Sequence, residues 1–440
     1  MAISARRVAG LLGLLMISSV ALAACQSDSD TGDDSPPAPP AAAPSVGTGV
    51  SPTLAPTSTP VPGDASDPAP SATSTPAPSQ TPSQTSAPVS PPVLNRDIRS
   101  VELDDIVFDR FDGSTTRLSA ASNALIERLR DAIKPIYSPQ YEDASGGDWL
   151  DSNDIILGYV SESGQAYAYP IKFLNFHELV NDVIDGVPLL VTYCPLCGSG
   201  IVFDRRVDGE VLVFGNTSAL YNSDLVMFDY ATGSYWFQTG GEAVVGTMTG
   251  TRLTPLPSSV MTWDQWLALH PGTNVLSLEQ GLGTRSSMYL TDPFSTYADY
   301  INGGENRFPF PVDTDLVSDA LRPAEIVVAV AIGDHERAYP PTRIGNTAVN
   351  DLLDGEPVVV FSRGTRQVAT VFSPLVKGRQ LEFAYTDGSF RDLQTGSLWN
   401  MGGMATSGEL EGTRLTPLPS RRAFWFTISI SNPDIEVYGQ

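Results

Sequence analysis

Gly250-Thr-Arg-Leu-Thr-Pro-Leu-Pro-Ser258 recurs residue for residue as Gly412 to Ser420. Identity over nine positions at that separation is the mark of an internal repeat. Reading backwards from both copies, Thr232-Gly-Ser-Tyr-Trp236 answers Thr395-Gly-Ser-Leu-Trp399 and Gly240-Gly241 answers Gly402-Gly403. Val180-Asn-Asp-Val-Ile-Asp-Gly-Val-Pro188 answers Val349-Asn-Asp-Leu-Leu-Asp-Gly-Glu-Pro357, and Ala168-Tyr-Pro170 answers Ala338-Tyr-Pro340. The offset drifts only slightly, as small loop deletions produce, and the period is far too long for a solenoid. Two related β-rich units are expected, residues 96–300 and 301–440, packed as a pseudo-twofold pair.

Within each copy the pattern is mostly that of strands. Ile155 to Tyr159 and Ala166 to Tyr169 alternate around Ser163-Gly164, a hairpin signal. Asn175 and Glu178 read as the capping box of a short helix whose apolar face is Phe176, Leu179, Val180, Val183 and Ile184, with a matching helix from Thr347. Buried strands and hairpins follow through Met248, and Leu118 to Ile133 predicts an amphipathic helix leading in. The fold class expected is mainly β with short helices, α+β overall.

The ends of the chain carry different information. Arg6 and Arg7 precede an apolar run, Val8 to Ala24, closed by Leu22-Ala-Ala-Cys25. A basic start, a short apolar core and small residues before a cut site read as a secretory signal over residues 1–24. Cys directly after Leu-Ala-Ala resembles a bacterial lipobox, which implies acylation of Cys25 and anchoring to the outer face of a membrane. The Arg pair also admits twin-arginine export. Residues 25–95, almost wholly small, polar and Pro residues up to Pro92, cannot bury enough apolar surface to order themselves and read as a tether. A flexible chain of that length reaches on the order of 45 Å.

Of the 440 residues, 50 are acidic and 26 basic, for a net charge of -24. Only Lys134, Lys172 and Lys377 are lysines. Nucleic acid and anionic lipid both demand a basic footprint, so neither is an expected partner surface. No Ser-His-Asp grouping, phosphate loop or nucleotide fingerprint appears, so no nucleotide cofactor is expected.

Tyr193-Cys-Pro-Leu-Cys-Gly-Ser-Gly200 holds the two cysteines other than Cys25. Thiols three positions apart can ligate a soft metal, cycle between dithiol and disulfide, or form a small bridge. The bridge gains least, about 2 kcal/mol for so short a loop. For a metal, Zn or Cu, a third ligand is needed, and His177 is the best placed of the three histidines. His270 reads as a packed helix end and His335 as a solvated turn residue. At the positions of His177, Cys194 and Cys197 the second copy has Asn346, Arg363 and Arg366. All three candidate ligands vanish together, as a site confined to one copy predicts and as broad drift of an unconstrained second copy predicts too. Tyr221-Asn-Ser-Asp224 is a second polar cluster, able to orient a ligand or support a metal site, and equally able to be a turn.

Taken in order, Asn175-Phe-His-Glu-Leu-Val-Asn-Asp182, Tyr193-Cys-Pro-Leu-Cys-Gly198, Tyr221-Asn-Ser-Asp-Leu-Val-Met227 and Thr232-Gly-Ser-Tyr-Trp236 resemble the bacterial family catalogued as domain of unknown function 3179. The resemblance covers about Asp154 to Tyr300, more weakly the rest. It implies no activity, but its motifs coincide with His177, Cys194, Cys197 and Asn222 to Asp224. The expectation is therefore a lipid-anchored extracytoplasmic protein with a Cys2His metal site. A thiol-disulfide protein is the alternative and an envelope scaffold the third reading.

Overall fold

A computed structural model describes residues 90–283, 286–303 and 308–440. The leader, Cys25 and nearly all of the tether lie outside these residues. The described chain is strand-rich, with a few short helices, a mixed α+β architecture.

The hairpin read from Ser163-Gly164 forms, pairing strand Ile155–Val160 with Ala166–Pro170. Strand Ser258–Thr262 adds to one side antiparallel, and Asn274–Leu276 adds to the other side parallel. In the second repeat, Arg421–Phe424, Ile326–Ile332, His335–Tyr339 and Glu436–Val437 lie in that same order, again with the last pair parallel.

The helix expected from Phe176 is a strand. Only Ile171–Leu174 is helical; Asn175 ends that turn instead of opening a new one, and Leu179–Ile184 pairs antiparallel with Val187–Cys194. The second repeat behaves alike, Thr347–Leu353 pairing with Glu356–Arg363. The deciding signal is Asp185-Gly186, repeated as Asp354-Gly355. Both residues of each pair take positive φ, 51° and 78° in each case, the geometry of a two-residue hairpin turn. Valine and isoleucine at the supposed helix face favour the strand as well. The leading helix also shortens, to a 3-10 turn Leu118–Ala120 and helix Asn123–Leu129 capped by Ser122.

Strands of the two repeats interlock. Arg421–Phe424 bridges to strand Ser199–Asp204, joining four strands of the second repeat to Ser199–Asp204, Val187–Cys194 and Leu179–Ile184 of the first. The cores follow. Cys194, Cys197 and Trp236 pack with Ile326, Phe424, Phe426 and Ile430, while Trp263 and Trp266 pack with Phe361, Phe390 and Trp399.

The repeated Asp-x-x-Thr-Gly-Ser-x-Trp stretches make the same local bonds. Asp229 accepts from Thr232 N at 2.6 Å and Trp236 Nε1 at 3.0 Å, and Asp392 accepts from Thr395 N at 2.6 Å and Trp399 Nε1 at 3.0 Å. Asn181 exchanges two hydrogen bonds with the backbone of Phe214, and Asn350 does so with Phe383. The tryptophans are buried packing residues in both places.

Candidate metal centre

Strands Val187–Cys194 and Ser199–Asp204 are joined by a tight turn in which Cys197 N donates to Cys194 O at 3.2 Å. Gly198 has φ +56, and a Cβ there would sit 3.0 Å from the Phe424 ring. The turn therefore requires glycine on two counts, conformation and space. It presents both sulfurs inward, where each faces the Ser223 carbonyl, at 3.9 Å from Cys194 and 3.3 Å from Cys197. Both thiols are free and buried.

Ser223 belongs to the second hairpin that closes over the sulfurs. Asn222 and Ser223, with φ 49° and 62°, form the two-residue turn between strands Phe214–Tyr221 and Asp224–Asp229. Asn222 Oδ1 accepts from Asp313 N at 2.8 Å and Ser223 Oγ donates to Phe310 O at 3.2 Å, so this turn is covered by later chain. Tyr221 packs edge-on to Phe237. Of the Tyr221 to Asp224 cluster, the first three are turn and packing residues.

Asp224 is different. A carboxylate oxygen of Asp224 and the sulfurs of Cys194 and Cys197 lie within 4.8 Å of one another, all in residues that are buried. Its Oδ2 accepts from Thr239 N at 2.8 Å. Its Oδ1 is buried with no hydrogen-bond partner among the described residues. Burial pushes the Asp224 carboxyl up, opposed by the hydrogen bond from Thr239 and by the nearby cysteine thiols. Burial also raises the Cys194 thiol and lifts Cys197 well above the ordinary range, the Asp224 charge adding to both. Three acids thus share an enclosed space without a counter-charge, which a cation can supply.

The shell around them is polar and ordered. Thr239 Oγ1 and Ser199 Oγ both donate to Gln238 Oε1, at 3.1 and 2.7 Å. Gln238 Nε2 in turn donates to Thr192 Oγ1 at 2.7 Å. From the second repeat, Phe424 N donates to Cys197 O at 2.8 Å and Arg422 Nη1 to Gly198 O at 3.3 Å. Thr427, on helix Trp425–Ser431, sits beside Cys197 and lowers its pKa, yet its hydroxyl has no partner of good geometry. The Tyr297 hydroxyl is also buried and unpartnered among the described residues, and the cysteine pair raises its pKa.

His177 does not join the sulfurs: the ligand set that the fold assembles is Cys2Asp, not Cys2His. Its ring nitrogens are both occupied, Nδ1 with Lys134 O and Nε2 with Tyr289 OH, each at 2.7 Å. The ring stacks on Phe173 at 4.8 Å. Burial lowers its pKa to about 4, against the hydrogen bond with the Lys134 carbonyl. His270 caps helix Trp263–Leu269 and packs on Trp266, and His335 is exposed beside Asp354.

The sequence marks Asp224 only as a neighbour and Glu178 as a helix cap. Glu178 is fully enclosed, bonded to Asn216 Nδ2 at 2.5 Å, with φ 58°. Burial, with Asp224 and Asp109 adding, raises its pKa to about 8. The second repeat shortens the hairpin carrying Asp224 from strands of 8 and 6 residues to two of 4, and the aspartate of its turn, Asp387, is exposed.

No curated protein and no solved structure matches this chain. A family model does, over residues 130–434, a span that contains the cysteine turn, the Asp224 hairpin and most of both repeats. The chain belongs to the family described as protein of unknown function (DUF3179).

Proposed function

We propose that this chain is a metal-binding protein that holds one ion through Cys194, Cys197 and Asp224. The observation that carries the reading is the buried, unpartnered Asp224 Oδ1 in a carboxylate that lies within 4.8 Å of two sulfurs. A tetrahedral ion with metal–sulfur distances of ~2.3 Å brings ligand atoms to within about 3.8 Å, so the cluster needs only to contract slightly. Two thiolates with one carboxylate oxygen suit Zn2+ better than Cu+, since the carboxylate is a hard donor.

Purified under reducing, chelator-free conditions, the protein should carry about one zinc equivalent. Cys194→Ser and Asp224→Asn should lose it, whereas His177→Ala should keep it. A metal-free wild type with two titratable thiols sinks the reading. The convergence of both sulfurs on one carbonyl also favours a dithiol pair, and a thiol-disulfide protein is the second reading. Burial of both thiols counts against it, because exchange needs an accessible, low-pKa thiolate.

The same proposal includes the setting. The chain is exported, cleaved before Cys25 and anchored by acylation there, with the Pro-rich stretch as tether; labelling with a fatty-acid analogue should fail in Cys25→Ser. Its β-rich part is a duplication of two homologous units forming an interlocked pseudo-twofold pair. The matching strand orders and the paired Asp–Trp and Asn–backbone bonds support that history.

A further inference from the structure

Beside the cysteine turn lies a cavity of ≈ 70 Å³ whose walls are mostly apolar, Leu196, Leu220, Leu225, Phe294 and Phe310 among them. No Lys or Arg lines it; its ionisable groups are Glu178 and Asp109. Glu178 is only 8% exposed, its Oε2 takes the Asn216 amide, and among the described residues its Oε1 takes no hydrogen bond. Asp109 Oδ1 accepts from Phe111 N at 2.8 Å.

The backbone around this cavity is unusual. Phe111, Glu178 and Ser218 all line it and all have positive φ, 59°, 58° and 59°, outside any two-residue hairpin turn. Asn216 holds two of them, donating to Glu178 Oε2 and accepting from Ser218 N at 2.7 Å. Left-handed backbone in such residues persists where the surroundings over-determine it, and it gathers at ligand sites. The second repeat has Thr347 and Tyr385 at the positions of Glu178 and Asn216, so this arrangement is peculiar to the first.

We infer that the cavity is a binding site for a small alkylammonium of about three or four carbons, with the Glu178 carboxylate as its counter-ion and the apolar wall around its chain. The size follows from volume: a cavity of about 150 Å³ admits benzene, and this one is about half that. The charge follows from the lining. Glu178 and Asp109 place two carboxyl groups on one wall, and no basic side chain on that wall balances them. An ammonium group removes that conflict and can also face the Phe rings, while an anion worsens it. The inference goes beyond the metal assignment and does not depend on it.

The test uses the full chain and n-propylammonium chloride, followed by calorimetry. One-site, saturable binding is expected, with 1-propanol at least tenfold weaker and propionate not bound. Glu178→Gln should weaken n-propylammonium at least tenfold, and Leu220→Phe, which fills the cavity without touching the carboxyl, should abolish it. Equal binding of 1-propanol and n-propylammonium overturns the inference, as does indifference to Glu178→Gln. Absence of any binding by the folded wild type, leaving a cavity for water alone, overturns it too. Zinc content measured on the same samples keeps the two readings apart, because a metal-free protein that binds the amine refutes only the first.

Discussion

The turn Cys194–Ser199 and its counterpart Arg363–Val368 connect equivalent strands and have opposite interiors. In the first, two thiols and Asp224 meet in an enclosed pocket without a basic side chain among them. In the second, Arg363 brings its own: its guanidinium stands 4.7 Å from the Tyr385 ring centre and 5.4 Å from that of Phe390, bonds the Tyr385 hydroxyl and donates to Gly388 O at 2.8 Å. Arg366 reaches across to Asn153 at 3.0 Å. One repeat fills this place with a guanidinium that has ring and hydrogen-bond partners, and the other leaves Asp224 Oδ1 beside two thiols with no hydrogen-bond partner among the described residues. A scaffold's stability and its chemistry are thereby separated: the shared Asp–Trp and Asn–backbone bonds hold both repeats, and the leftover groups mark the site.

The sharpest way to break this contrast is to exchange the interiors. Asp224→Asn should weaken zinc at least ~10⁴-fold, about 5.6 kcal/mol at 1.4 kcal/mol per tenfold, by competition with a chromogenic chelator. The double change Arg363→Cys with Arg366→Cys should gain no zinc, since the aspartates of the shortened hairpin are Asp387, exposed in its turn, and Asp392, whose carboxylate is taken up by Thr395, Ser397 and Trp399. Zinc in that variant would show that the two cysteines alone define the site.

The second test concerns pH. Glu178 is an acid whose folded pKa, about 8, lies above its ordinary value of 4.5. The native state therefore keeps a proton that the unfolded chain has lost, and stability falls as pH rises from about 4.5 through about 8. The loss is at most ~5 kcal/mol at 1.36 kcal/mol per unit. Glu178→Gln should flatten this limb in urea unfolding at pH 5, 7 and 9, while Thr347→Ala in the other repeat should leave it unchanged. An unaltered slope in Glu178→Gln would rule out the enclosed acid as its source.

A smaller effect tests what the repeats share. Asp229→Ala and Asp392→Ala each strand a tryptophan Nε1 and a backbone N, and each should cost about 3 kcal/mol, measured as shifts in unfolding midpoint. Costs that differ severalfold would mean the two loops are not energetically equivalent. Smallest of all is the surface. Arg252 pairs with Glu242 across a bridge whose counterpart joins Arg414 to Met404. Arg252→Ala should cost about 0.2–1 kcal/mol, salt-dependent, and Arg414→Ala no salt-dependent amount.

Several of these features are legible in the amino-acid sequence alone. The Ser163-Gly164 hairpin, the Trp236 and Trp399 packing positions and the loss of both cysteines in the second copy are local or comparative facts. The helix expected at Phe176 does not form because apolar residues at Leu179, Val180, Val183 and Ile184 satisfy helical spacing while also being a strand buried on both faces. Periodicity cannot separate those cases. The Asp185-Gly186 turn can. His177 misleads for another reason: nothing local reveals that Lys134 and Tyr289, 43 and 112 positions away, already occupy its nitrogens.

By itself the sequence determined the strand-rich class, the recurrence of one pattern along the chain and the chemistry of a two-thiol turn, because each is written in neighbouring residues or in the likeness of one stretch to another. Only the tertiary structure decided the third member of the cluster and the enclosure of Glu178. Asp224 meets the sulfurs because two hairpins close on each other while helix Trp425–Ser431 seals the space. The Glu178 carboxyl is pushed up chiefly by its burial, with Asp224 and Asp109 adding to that from strands distant in sequence. Burial and the field of distant charges are sums over the whole packed molecule, and no window of sequence contains them.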